Sequence, residues 1–363
     1  MTERSGVAQP SPATHATSAH EAALSCYTSA LLAYLTEEDP SAPDRVARST
    51  RLALQPSPTS EPLVFRHHAA GLDRLPDGTA LRPAGAEPLA EALAGLAEEV
   101  AMYGRALFAA DAARLPWAPP GQEPAPHFLV ATARGNGRWY LHDHFTGLFP
   151  NGQEQRSFSG WVTDASMAAL FTTDDHYSPV QRRRTAEVFG RTLATPPKGT
   201  RHWFTRVNAD SASRLPDEGT WCTDPEHIAG HLLEHLRTAG TNPGEPTLLE
   251  DLWAASRHHQ YKYRHSLDAP GRSRPQEHEE ALRQALTRWS GLPRTLRFAI
   301  NSARRGRPRD SLLDTAVHDL ARAENLARSV LLQEDKEHPW PATEPSMTAS
   351  SGRQPPIRTV RHS

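Results

Sequence analysis

The tightest constraint on how this chain folds is a short hairpin. The runs His127-Phe-Leu-Val-Ala131 and Arg138-Trp-Tyr-Leu-His-Asp143 are joined through Arg134-Gly-Asn-Gly137. Asn-Gly takes the positive φ angles of a tight turn at little cost, so the two runs are predicted to pair as antiparallel strands. Residues 105–110 form another short run of the same kind, and Leu63-Val-Phe65 is a further strand candidate. Helices flank these. Leu24, Tyr27, Ala30, Leu31, Tyr34 and Leu35 recur at three- and four-residue spacing, which predicts an amphipathic helix over residues 24–36 that Thr36-Glu-Glu-Asp-Pro40 stops. Residues 88–100, rich in Ala, Leu and Glu, form a second.

Beyond Pro150 the pattern becomes helical, with segments expected near 164–171, 179–193, 225–238, 246–265, 276–290 and 311–333. Thr223-Asp-Pro-Glu226 marks one start by a Thr or Asp cap, an early proline and a glutamate. The fold class that follows is α+β: an antiparallel sheet with a cysteine-bearing helix at its N-terminal side, then a mostly helical C-terminal region. The expected organisation is a disordered tail over 1–19, a first domain over 20–155, a helical domain over 156–337 and a second disordered tail over 338–363.

Composition supports the tails and excludes several functions. Only 37% of residues are apolar and 32 are proline, so some of the chain lacks the apolar surface needed to offset its ordering entropy. The tails and a proline-punctuated stretch over 40–87 account for much of this. Two cysteines exclude a disulfide scaffold and any zinc site built on three or four thiolates. No apolar run is long enough to cross a membrane. The N-terminus lacks the charged and apolar regions of a signal peptide, so a cytoplasmic location is expected. A net charge of −2 points to no polyanionic partner.

Cys26 falls in the first turn of the first predicted helix. The free N–H groups there favour a thiolate and can hold an oxyanion on an acyl group attached to the sulfur. The hairpin brings the start of one strand beside the end of the other, which places His127 near Asp143. A cysteine on a helix N-terminus, a histidine on one strand and a carboxylate on the next make a triad of the papain type, in chain order Cys26, His127, Asp143. The bland alternative is a core cysteine, a surface histidine and a turn aspartate.

Together, Ser25-Cys26-Tyr27 leading a helix, His127-Phe-Leu-Val and Tyr140-Leu-His-Asp143 resemble papain-like cysteine peptidases. The chain is more closely similar to the butirosin-biosynthesis H protein family, acyltransferases with a papain-like N-terminal domain. Ala110-Asp-Ala-Ala-Arg-Leu-Pro-Trp117, Trp289-Ser-Gly-Leu-Pro293 and Leu320-Ala-Arg-Ala-Glu324 look like further elements of that family, so the resemblance spans about residues 20–335. It departs after the first helix, where a Gly-rich apolar segment is replaced by polar, proline-broken sequence. The resemblance implies amide formation or cyclisation in natural-product biosynthesis. The acyl group arrives as a thioester on the phosphopantetheine arm of an acyl carrier protein and leaves on an amine, with no other cofactor. With water as acceptor, the same residues make a thioesterase or peptidase. A non-catalytic module that binds a carrier protein is the alternative outside enzymology.

Other residues fill out this reading. Asp111, in the motif before the histidine, is a substrate-binding candidate. So are Tyr261 and His265, which share a helix face in His258-His-Gln-Tyr-Lys-Tyr-Arg-His265. Seven arginines and no acidic residue lie between Arg288 and Arg309. Arg294, Arg297, Arg304 and Arg305 are candidate docking residues for an acidic carrier protein, against the alternative of a solvated helix surface. Acidic residues are plentiful elsewhere in the chain, so this stretch is not read as a nucleic-acid surface. Cys222 is the reserve nucleophile. His142 and His144 flank Asp143 on the opposite strand face, and no His-Glu-x-x-His pattern accompanies them, so no metal is expected. Oligomeric state is not legible.

Overall fold

A computed structural model of the protein describes residues 24–69, 71–148, 154–209, 220–238, 245–269 and 274–337; the expected tails lie outside these. The fold is α+β. A six-stranded antiparallel sheet has the order β3-β10-β4-β5-β6-β9, where β3 is Thr79–Ala86, β4 Ala106–Asp111, β5 Pro126–Gly135, β6 Arg138–Asp143, β9 Phe158–Thr163 and β10 Arg201–Asn208. The β5–β6 hairpin turns at Asn136 and Gly137, with φ of 52° and 69°. Both central residues are thus in the left-handed region that Asn-Gly tolerates.

Helix α1 (Cys26–Thr36) packs on one side of this sheet, and residues on every side of it are buried: Thr28 through Leu32, Tyr34 and Leu35. A helix apolar all round belongs in an interior, and α1 shares its core with Leu107, Phe128, Val130 and Phe204 of the sheet. On the other side, α3 (Leu89–Tyr103) and α4 (Asp164–Leu170) cover Phe108, Leu129, Trp139 and Leu141. Gly95 permits the close approach of α3, because a Cβ there would lie 2.4 Å from the Trp203 ring of β10.

A third core belongs to α6 (Pro225–Thr238), α7 (Glu245–Asp268), α8 (Gln276–Arg304) and α9 (Asp310–Glu337). These helices also cover a separate hairpin, β1 (Thr50–Gln55) with β2 (Val64–His68), whose Leu52, Leu54, Leu63 and Phe65 join the helical core. The remaining elements are α2 (Ala42–Ser49), α5 (Pro179–Glu187) and a short pair, β7 (Gly147–Leu148) with β8 (Glu154–Gln155). Among the described residues, no helix is long and apolar enough to cross a membrane.

The structure corrects the sequence reading in three places. The expected division at 155/156 cuts through the sheet, since β9 and β10 lie beyond it and β10 runs between β3 and β4. That pairing, Arg201↔Ala86 through Asn208↔Thr79, joins strands more than a hundred residues apart, which no local pattern reveals. The proline-punctuated stretch over 40–87 holds, besides the strand expected near Leu63-Val-Phe65, three elements the local pattern did not place: α2, β1 and β3. Finally, α8 runs on through Gly291 and Pro293 instead of stopping near 290. Proline has no N–H for the carbonyl four residues back. Here that carbonyl, of Trp289, accepts instead from the Ser256 hydroxyl of α7 at 2.6 Å. Leu292, Leu296, Ala299 and Ile300 carry the buried stripe past the proline.

Candidate active site

Asp143 ends β6 and is almost wholly buried, so its carboxylate requires partners. Its Oδ2 accepts from His127 Nε2 at 2.9 Å, from Trp117 Nε1 at 2.8 Å and from Gln155 Nε2 at 2.9 Å. Its Oδ1 accepts from the Phe145 amide at 3.0 Å. Burial alone would raise this carboxyl, but His127 and these donors outweigh it and hold the group below the usual range. Trp117 is itself fixed by stacking on Phe158 at 4.0 Å between ring centroids.

With Nε2 on Asp143, the His127 ring has Nδ1 left for Cys26, whose side chain it also meets. Burial would lower the His127 pKa; Asp143 and Cys26 together reverse this and raise it to about 10. An imidazolium held beside a sulfur is the setting in which a cysteine acts as a nucleophile near neutral pH. Cys26 opens α1 and remains partly accessible to solvent. The helix has no side-chain cap, because the Ser25 hydroxyl is turned to His258 Nε2 at 2.8 Å. The first-turn amides are therefore not claimed by the Ser25 side chain.

Helix α7 adds a residue the sequence reading did not single out. Arg257 donates from Nε to the Leu24 carbonyl at 3.2 Å and from Nη2 to the Thr146 carbonyl at 2.6 Å. It thereby ties the lead-in to α1 to the loop after Asp143, while lying over the Trp253 ring at 4.6 Å. Burial lowers its pKa to about 10, with the charge of Cys26 opposing that shift, so it remains a cation at neutral pH. The signal for it lay one residue before the aromatic and titratable run 258–265, which drew attention to the other end of that run. Trp117 was legible as part of Leu115-Pro-Trp117, but not as the donor to Asp143. Gln155 carried no signal.

The remaining candidates sit elsewhere. Asp111 is buried and accepts from the Ala113 amide at 3.0 Å, capping a short turn, with His176 at 3.2 Å from its other oxygen. Tyr261 is buried in the α1 core with its hydroxyl on the Pro43 carbonyl at 3.2 Å. His265 bonds Asp44 of α2 at 2.6 Å and lines a separate cavity. Arg294, Arg297, Arg304 and Arg305 are exposed on α8 and just past its end, and Phe298 between them is 56% exposed. Cys222 bridges to Leu54 by two backbone hydrogen bonds; burial raises its thiol, and its sulfur approaches the Asp224 carbonyl at 3.9 Å. Asp224, not Thr223, caps α6, accepting from the Glu226 and His227 amides. His142 is held by Thr132 and Ser159 through its two nitrogens.

No protein-family model matches this chain, and no curated protein matches it either.

Proposed function

We propose that the chain is a cysteine-dependent acyltransferase with a papain-like catalytic unit, acting on an acyl thioester and passing the acyl group to an amine. The observation that carries this reading is the partly exposed Cys26 at the uncapped start of α1, beside a buried His127 held by Asp143 at 2.9 Å. In the first step Cys26 Sγ attacks the thioester carbonyl, and the departing thiolate takes a proton from His127. In the second the amine attacks the resulting Cys26 thioester and His127 takes the amine proton. The C–S bond then breaks to give the amide and restore the Cys26–His127 pair. Asp143 keeps the imidazole oriented throughout. The amides of the first turn of α1 stabilise the oxyanion of each tetrahedral intermediate.

The donor in this reading is carried on the phosphopantetheine arm of an acyl carrier protein. The exposed arginines Arg294, Arg297 and Arg305 with Phe298 offer a basic surface containing an apolar anchor, which suits an acidic partner. The resemblance to the butirosin-biosynthesis H protein family, in the motifs around Cys26, His127 and Asp143, favours transfer to an amine over transfer to water. Intact-mass measurement after incubation with an acyl thioester tests the proposal. The expected result is one acyl adduct, absent in Cys26→Ala, that an added amine discharges as amide faster than water discharges it as acid. Faster release of acid makes the chain a thioesterase or peptidase. No adduct with any thioester, free or carrier-bound, overturns the enzymatic reading.

A further inference from the structure

A cavity of about 250 Å³ lies where β1 and α2 meet α6, α7 and α9. None of Cys26, His127, Asp143 or Arg257 lines it. Its wall is mostly apolar, formed by Leu52, Ile228, Leu232, Val317 and Trp289 among others. The charged groups at its rim are mostly spoken for. Arg48 pairs with Asp335, His265 with Asp44, and Lys262 lies 3.8 Å from Glu324. Glu324 also accepts from Tyr263 and Trp289, which commits its charge to the protein.

Two cations remain. Arg51 of β1 and Arg328 of α9 both line the cavity, and neither makes a close ion pair with a carboxylate among the described residues, although the exposed Asp224 carboxylate feels the charge of Arg328. The Arg51 Nε is buried with no hydrogen-bond acceptor. Arg328 donates one bond, to the Thr223 carbonyl at 3.0 Å. Burial makes it costly to keep Arg51 charged, and the like charge of Arg328 adds to that cost. A buried donor without an acceptor, within the field of a like charge, is an expense that an incoming anion would relieve.

We propose that this cavity is a binding site for a small organic anion with an apolar body, its head group held by Arg51 and Arg328 and its body packed against Trp289 and the leucines. The volume holds on the order of ten methylene-sized groups, which suits a medium-length chain or a single aromatic ring. A carboxylate and a phosphate monoester share the head-group chemistry, and both fit two arginines.

Calorimetric titration of the full chain with sodium octanoate, octyl phosphate, octanol and octylamine tests the site. The two anions are expected to bind at least about tenfold more tightly than the alcohol or the amine, as charged hydrogen bonds require. Whichever anion binds more tightly identifies the head group. Arg51→Met and Arg328→Met are each expected to weaken octanoate binding at least about fivefold, while Cys26→Ala leaves it unchanged. Octanol binding as tightly as octanoate overturns the proposal. So does the absence of binding by either anion, or wild-type octanoate affinity in a folded arginine variant. The ligand series on the wild-type chain decides the matter even where a variant does not fold.

Discussion

Two buried histidine environments in this molecule differ in charge, one ring held as a cation and the other neutral. His127 is sequestered from water, yet its pKa is raised to about 10. His259, on α7, is equally sequestered and is lowered to about 4. Burial pushes both down, so the difference lies in what each ring touches. His127 Nε2 meets the Asp143 carboxylate at 2.9 Å, within hydrogen-bond reach. His259 Nε2 stands 3.6 Å from Glu324 and makes no hydrogen bond, while its Nδ1 is engaged by the Ala255 carbonyl at 2.8 Å. Lys262, near the same carboxylate, adds a like charge that discourages a second cation. His68 and His258 follow His259: burial and neighbouring histidines lower His68 to about 3 and His258 well below its ordinary value. Burial sets the cost of the charge, and a carboxylate within hydrogen-bond reach decides whether it is met.

The largest expected effect breaks the charged environment directly. His127→Ala should slow alkylation of Cys26 by iodoacetamide at pH 7 by about a hundredfold or more, since the sulfur loses its proton acceptor and counter-ion. Peptide mapping with Cys222 as internal reference checks this, and equal rates in wild type and variant would separate Cys26 from His127 functionally. Asp143→Asn keeps the shape and removes the anion. The same assay should then show the His127-dependent titration moved to lower pH, with a rate at pH 7 about tenfold or more below wild type.

Next comes the neutral environment. Glu324 holds Tyr263 and Trp289 by hydrogen bonds of 2.6 and 2.8 Å and neighbours Lys262. Burial would raise its carboxyl, but His259, Lys262 and these donors hold it at about 2. Glu324→Ala leaves all of them unsatisfied and should cost about 3–5 kcal/mol in urea unfolding. A loss below about 1 kcal/mol would mean that the cluster reorganises without it.

The pH dependence of stability separates the environments by sign. His127 is raised, so its contribution is complete below about pH 6.5 and fades as pH climbs toward about 10. His68 and His259 are lowered, so the unfolded chain takes up protons that the native state refuses. Stability should therefore fall as pH drops from about 6.5 toward about 4. Urea midpoints across this range should show both limbs, and His127→Ala should flatten only the alkaline one. The smallest expected effect concerns the turn that brings the strands together. Gly137→Ala, at a φ of 69°, should cost about 1–2 kcal/mol and leave Cys26 reactivity within a few-fold of wild type.

Local pattern carried the hairpin, the first helix and the residue types of the candidate site, because tight turns, helix periodicity and chain order are short-range properties. Asn136-Gly137 and the Cys26 helix start are legible for that reason. The same reasoning could not find Arg257, since nothing near it in sequence says that its guanidinium will clip Leu24 to Thr146. Nor could it place β10 between β3 and β4, or recognise that Ser256 would take over the carbonyl that Pro293 cannot serve. Each of these joins segments distant along the chain, and only packing brings them together.

What the sequence by itself determined is therefore an inventory: an α+β chain with one cysteine at a helix start and a histidine and an aspartate in one hairpin. The tertiary structure decided the charge states. Whether a buried imidazole is a cation or a neutral ring depends on its separation from a carboxylate, 2.9 Å for His127 and 3.6 Å for His259, and on the neighbouring sulfur or ammonium. Those separations are set by the β5–β6 register and by the placement of α7 relative to α9, and electrostatic interactions in a water-poor interior respond to position far more steeply than any residue pattern can encode.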